Sequence, residues 1–163
     1  MTVNSQIREI TIRDASSSTE IATLRQLFQE YAQSMGFTLC FQGFDKEMAG
    51  LPGDYAPPAG ALLLASCGEE IAGCVALRAL QPGICEMKRL YVRPRFRGKG
   101  AGLALMRSVM DKARQLGYTK MRLDTLEPLM KDAVTMYRKS GFREIPPYGP
   151  TPVAGALCME LDL

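Results

Sequence analysis

The residues best suited to chemistry lie in one stretch, Tyr91-Val92-Arg93-Pro94-Arg95-Phe96-Arg97-Gly98-Lys99-Gly100-Ala101-Gly102. An apolar strand pattern stops at Pro94, three glycines alternate with small or basic residues, and a helical apolar period starts directly afterwards. The first N–H groups of a helix have no partner within the helix, so a glycine-rich turn that opens one binds anions. Gly98 and Gly100 remove Cβ atoms where an anion must touch backbone. Arg95, Arg97 and Lys99 add charge, and the helix dipole adds to it. The glycines stand two apart, so this is not the G-x-G-x-x-G of a dinucleotide fold. The Walker pattern fails as well, because Arg93 stands where a glycine is needed and Gly100 where a Ser or Thr is needed. Two readings remain on the turn alone: a phosphate cradle of another register, or a solvated basic bend.

The chain has 163 residues and no histidine. No imidazole base and no Ser-His or Cys-His nucleophile is available, so proton transfer falls to a carboxylate, Tyr, Cys, Lys or water. The five cysteines, Cys40, Cys67, Cys74, Cys85 and Cys158, are irregularly spaced without a C-x-x-C. Without histidine they do not compose a zinc or haem site, so no metal is expected, and they read as reduced, mostly buried thiols. A formal net charge of +3 suits an anionic ligand but is too small for a nucleic-acid-binding face. There is no secretory signal and no apolar run of about 18 residues that would span a membrane. A cytoplasmic location is expected.

The elements that position the turn can be read in order. Ile7 to Arg13 alternates as a first strand. Ser17 and Glu20 form a capping box for a helix whose face is Ile21, Leu24, Leu27, Phe28 and Tyr31, ending near Met35-Gly36. Phe44 to Leu51 reads as a short helix, and 51–60, rich in Pro and Gly, as an ordered loop. Ala61–Ser66, Ile71–Leu77 and Ile84–Val92 read as an antiparallel meander. After the glycine turn, Leu103, Met106, Val109, Met110, Ala113 and Leu116 make a helical stripe that stops at Gly117. Lys120–Thr125 is a further strand, parallel to 84–92 through the helical crossover. A second helix is expected from Pro128 or Leu129 to Ser140, with Leu129, Ala133, Met136 and Tyr137 inward. Short strands near Phe142–Ile145 and Leu157–Leu161 flank a Pro-Pro-Tyr-Gly-Pro loop. The fold class is α/β: one domain over 1–163, a mixed central sheet, helices on both faces.

Two motifs together are more specific than the turn alone. Val92-Arg93-Pro94 followed by Arg95-Phe96-Arg97-Gly98-Lys99-Gly100 resembles the "V-x-P" strand end and R/Q-x-x-G-x-G/A turn of the GNAT superfamily of N-acetyltransferases. Ala133-x-x-Met136-Tyr137-x-x-x-Gly141-Phe142 resembles that family's A-x-x-L-Y-x-x-x-G-F, with Met136 in place of Leu. The strong likeness covers 84–142. It implies a sheet in which strands 84–92 and 120–125 part at one end. The pantetheine arm of acetyl-CoA, the donor, would bond backbone of Leu90, Tyr91 and Val92 in that gap. The pyrophosphate would sit on Arg97, Gly98, Lys99, Gly100, Ala101 and Gly102, with Arg95 adding charge. A strand N–H at Leu90 or its neighbour would polarise the thioester oxygen. Tyr137 matches the family's general acid, which protonates the departing thiolate. Many members carry Asn where Met130 stands here, so that contact to pantetheine is altered.

Glu86 is the candidate general base, directly or through water. By strand alternation it shares the face of Leu90, four residues on. The plain alternative is a surface partner for Lys88 or Arg89. Cys85 falls on the opposite face, which argues against an acyl-cysteine route. Tyr31, Tyr55 and Tyr148 with the two proline-rich loops are expected to frame the acceptor. The implied reaction is acetyl transfer to a small-molecule or peptide amine in a ternary complex, and the alternative is a non-catalytic acyl-CoA-binding or sensor protein. A last strand with a free edge is compatible with a homodimer.

Overall fold

The structure is a computed structural model that describes residues 8–36, 43–149 and 155–163. A seven-stranded sheet runs through it: β1 (Ile10–Asp14), β2 (Ala61–Cys67), β3 (Glu70–Gln81), β4 (Ile84–Val92), β5 (Lys120–Leu126), β6 (Arg143–Ile145) and β7 (Ala156–Asp162). Their order is β1-β2-β3-β4-β5-β7-β6. Every pair is antiparallel except β4 with β5. Ile7, expected in the first strand, lies outside the described residues.

Helices α1 (Ser18–Ser34) and α2 (Phe44–Gly50) cover one face of the sheet; α3 (Ala101–Gln115) and α4 (Lys131–Lys139) cover the other. The capping box of α1 forms as its sequence predicts. Glu20 N–H donates to Ser17 Oγ and Ser17 N–H to Glu20 Oε1, each at 3.1 Å. Leu24, Leu27 and Phe28 on α1 pack with Leu64, Cys74 and Tyr55. On the opposite face Leu105, Met106 and Val109 pack against Leu77, Met121, Leu123 and Met159. Burying one such side chain contributes about 1.5–3 kcal/mol, so both helical layers are held by apolar contact.

The structure differs from the sequence reading in helices α3 and α4. The inward stripe of α3 includes Leu105, while Leu116 is exposed at the C-cap and Leu103 is only half-buried. Helix α4 starts at Lys131, not at Pro128 or Leu129. Met130 has φ −130°, and the preceding residues close a separate turn through Met130 N–H to Leu126 O at 3.0 Å. Leu129 is consequently 60% exposed, and Val134 joins Tyr137 on the buried face. The 51–60 segment is ordered, as expected: Tyr55 is buried, and Tyr118 Oη donates to Ala59 O at 2.6 Å.

Candidate active site

The parallel pair β4–β5 is short. Ile84, Cys85 and Glu86 pair with Lys120, Met121 and Arg122, and there the ladder stops. Beyond it β5 continues in register with β7, while β4 continues only against β3. From Met87 to Val92 the β5-facing edge of β4 therefore has no strand partner among the described residues. Unpaired strand backbone offers N–H and C=O groups to an extended ligand.

A bulge sits at the same place. Cys74 faces Tyr91 and Ala76 faces Lys88, so Arg89 and Leu90 both stand opposite Val75. Arg89 has φ +58°, uncommon for a residue with a Cβ. Its guanidinium donates to Glu47 on α2 at 3.0 and 3.2 Å and lies over the rings of Tyr31 and Phe44. The bulge reverses alternation. Leu90 and Val92 join the core that holds Cys85 and Met87, whereas Tyr91 joins the other. Glu86 thus stands on the face opposite Leu90, which corrects the shared face expected from a regular strand.

The glycine turn follows. Gly98 and Gly100 have φ of +77° and +84°, and among the described residues a Cβ on either would meet nothing beyond its chain neighbours within 4 Å. Their absence of side chain serves the left-handed backbone and leaves open space over it. Gly100 is the N-cap of α3 and supplies no side-chain acceptor, so the helix's first N–H groups remain available. A groove of about 770 Å³ runs over this turn. Leu90, Tyr91, Val92, Arg97, Gly98, Gly100, Ala101 and Gly102 line it, across from Met130 and Ala133. Arg97 donates from Nε to Val92 O at 3.0 Å. Arg95 and Lys99 are outside the lining: Arg95 pairs with Glu70, and both cations lie against the Phe96 ring. The shape fits a long ligand with one anionic end. Met130 accepts from Thr125 Oγ1 through its sulfur at 3.4 Å and presents no amide there.

A second, narrow cleft of about 30 Å³ occupies the fork itself, between Leu90 on β4 and Asp124 on β5. Tyr31, Lys88, Arg89, Met130 and Tyr137 also line it. Leu90 and Met130 line both cavities. Tyr137 is 5% exposed, with its ring 5.7 Å from that of Phe142. Among the described residues its hydroxyl has no hydrogen bond, yet no buried side-chain oxygen lacks a partner. The hydroxyl is therefore open to the cleft. Burial raises its pKa above that of an ordinary phenol, and the Tyr31 and Asp124 side chains push the same way.

Glu86 is 3% exposed. Arg78 donates to its Oε1 from Nε at 2.8 Å, and Tyr148 donates to its Oε2 at 2.5 Å. Tyr148 thus stands beside Glu86, and Tyr31 lines the cleft. Tyr55 does not. Its ring packs edge-on to Phe28 and its hydroxyl donates to Glu47 at 2.8 Å, inside the α1–α2 core. Pro150 lies outside the described residues. Cys85 donates to Lys120 O at 3.4 Å, and burial pushes its thiol up to about 12, far from a thiolate nucleophile.

A family model described as "Acetyltransferase (GNAT) family" matches residues 21–142. The chain belongs to the GNAT family of acetyltransferases. It is thereby an acyltransferase, and the forked sheet is the family's fold. An uncharacterised N-acetyltransferase of Schizosaccharomyces pombe is 40% identical over 146 residues, covering 88% of this chain and 89% of that protein. The IAA acetyltransferase of Azospirillum brasilense is 33% identical over 112 residues, covering 66% and 71%. The PaiA N-acetyltransferase of Thermoplasma acidophilum, solved in complex with coenzyme A, has TM-score 0.73 at 17% identity, covering 95% of this chain and 99% of that one. At that identity the likeness is one of fold.

In this GNAT protein, Arg89, Lys88 and Asp124 line the fork although the sequence reading gave them no role in the site. Asp124 had a signal: it is the first polar residue of β5 on the Arg122 face past the expected parting point. Arg89 had none, because a bulge leaves no mark in an alternating pattern.

Proposed function

We propose that the protein transfers an acetyl group from acetyl-CoA to a primary amine by direct attack in a ternary complex. The observation that carries this is the continuity of three features. A glycine turn with free helix N–H groups leads along the unpaired edge of β4 to a cleft where the Tyr137 hydroxyl is open. The turn would hold the pyrophosphate and the edge the pantetheine. The bulged backbone at Leu90 would polarise the thioester oxygen.

In the reaction the amine nitrogen bonds to the carbonyl carbon, the C–S bond breaks, and sulfur takes a proton from Tyr137. A buried phenol is a weak acid toward a thiolate whose conjugate acid lies near 8.5. The same low-dielectric cleft raises the thiolate's proton affinity too, which narrows the mismatch. The amine's proton leaves toward Glu86 or a water. Since both oxygens of Glu86 already accept hydrogen bonds, the geometry favours water as first acceptor. The test is release of coenzyme A thiol with a panel of polyamines, amino acids, amino-acid amides and peptides. Turnover with any of them supports the reading. Coenzyme binding with no turnover on the whole panel selects the sensor alternative.

A further inference from the structure

Resting on that reading, we infer that the acceptor is an amino carboxylate, a free amino acid or its conjugate, docked by Lys88 and Asp124 at the apex of the fork. The last paired rung of the parallel strands is Glu86 with Arg122. Two residues further along each strand, on the same face, stand Lys88 and Asp124. They are the first side chains beyond the parting on that face, and both line the cleft of Leu90 and Tyr137.

Their state distinguishes them from every charged neighbour. Arg78 is bonded to Glu86, Arg122 to Glu160 and Arg89 to Glu47, each at 3.0 Å or less. Lys88 and Asp124 make no hydrogen bond among the described residues. Lys88 Nζ forms ion pairs with Asp124 Oδ1 at 3.6 Å and Glu86 Oε1 at 3.8 Å, both too long for a hydrogen bond. The Lys88 side chain is only 12% exposed, so its stem is packed while its ammonium, which makes no hydrogen bond, stays open to the cleft. Asp124, with its side chain 36% exposed, accepts no hydrogen bond at either oxygen among the described residues.

A cation and an anion paired by charge alone, with their hydrogen-bonding positions unfilled, match a zwitterion: carboxylate on Lys88, amine on Asp124. The amine is then held beside the fork where the thioester would lie. A zwitterion adds no net charge to a site whose fixed charges already pair, whereas a polyamine would leave cationic groups uncompensated. An amide or internal peptide amine would leave the Lys88 donors unfilled.

The experiment measures kcat/KM for acetyl transfer to free L-amino acids and to the matching amino-acid amides, with spermidine as an amine without carboxylate. The free acid is expected to exceed its amide by roughly 10- to 100-fold, the range for a charged hydrogen bond. Lys88→Met, which keeps the apolar stem, is expected to bring that ratio near one, chiefly through KM for the acid; Lys88→Arg retains it. Coenzyme A binding by Lys88→Met reports that the variant is folded. Amides or spermidine used as well as the free acids would overturn this inference and leave acetyl transfer standing, as would a ratio unmoved in Lys88→Met. Binding of coenzyme A without turnover of any amine would overturn both.

Discussion

Arg89 and Glu47 meet in two hydrogen bonds, Nε to Oε2 at 3.0 Å and Nη2 to Oε1 at 3.2 Å, and so tie the bulge of β4 to α2. Arg89 is held at φ +58°. For an L-residue this conformation costs about 1–2 kcal/mol, so the surroundings must hold it. The pair, with the rings of Tyr31 and Phe44 under the guanidinium, supplies that hold. Removing the carboxylate leaves a buried charge without its counter-ion. Glu47→Ala is expected to destabilise the protein by about 3 kcal/mol, read as a lower urea midpoint. It should also lower kcat, because the backbone of Leu90 is set by the bulge. A variant with unchanged midpoint and kcat would separate the bulge from this pair.

Tyr137→Phe is expected to lower kcat by roughly 10²- to 10⁴-fold, the range for losing a general acid, with little change in KM for acetyl-CoA. The pH dependence has a definite sign. Burial raises the phenol's pKa, so the acid form persists above pH 10 instead of being lost there. The wild-type kcat should show no fall attributable to loss of an acid between pH 7 and about 10. A falling alkaline limb in that window that vanishes in Tyr137→Phe would contradict the environment described for this residue.

Much of the fold was legible because its signals are local. Ser17 and Glu20 announce the cap of α1, Gly117 stops α3, and the bounds of β4 agree with its alternating pattern. The fork followed from the family resemblance rather than from the pattern. What escaped was geometry that alternation cannot encode. A one-residue bulge at Arg89-Leu90 moved Glu86 to the face away from Leu90. A break at Met130 rotated the start of α4 and exposed Leu129. Tyr55, placed by its proline-rich loop near the acceptor, is drawn into the core by Phe28 and Glu47. Loop composition tells where a chain turns, not where its aromatic residue finds a partner.

Gly98 and Gly117 offer a matched comparison. Both have positive φ, +77° and +90°, with nothing among the described residues, chain neighbours aside, within 4 Å of an added Cβ. Replacing either with Ala brings the same left-handed strain, about 1–2 kcal/mol. Only Gly98 borders the groove. Gly98→Ala is expected to raise KM for acetyl-CoA about tenfold, equivalent to ~1.4 kcal/mol of binding. Gly117→Ala should lose similar stability without that change. Equal KM values in the two variants would remove the glycine turn from coenzyme binding.

Glu160, bonded to Arg122 on the Glu86 face of the sheet, is expected to weaken the fold when acid neutralises it. It is buried on β7 and accepts from Arg122 Nε at 2.8 Å, Lys120 Nζ at 3.2 Å and Arg143 Nη2 at 2.7 Å. The hydrogen bond from Arg122, then the hydrogen bond and charge of Lys120, hold its carboxyl below the usual carboxylate range against the cost of burial. A folded pKa below the unfolded value of about 4.3 means that the contribution is fully present above pH 4.3 and lost as the pH falls through the folded value. Glu160→Gln is therefore expected to lose about 1–3 kcal/mol at pH 7, the worth of hydrogen bonds to a charged group. The Tm gap to the wild type should narrow steadily below pH 4, where the wild-type carboxylate also becomes neutral. A gap that stays constant from pH 7 to pH 3 would show that the carboxylate's charge does not hold β5, β6 and β7 together at this point.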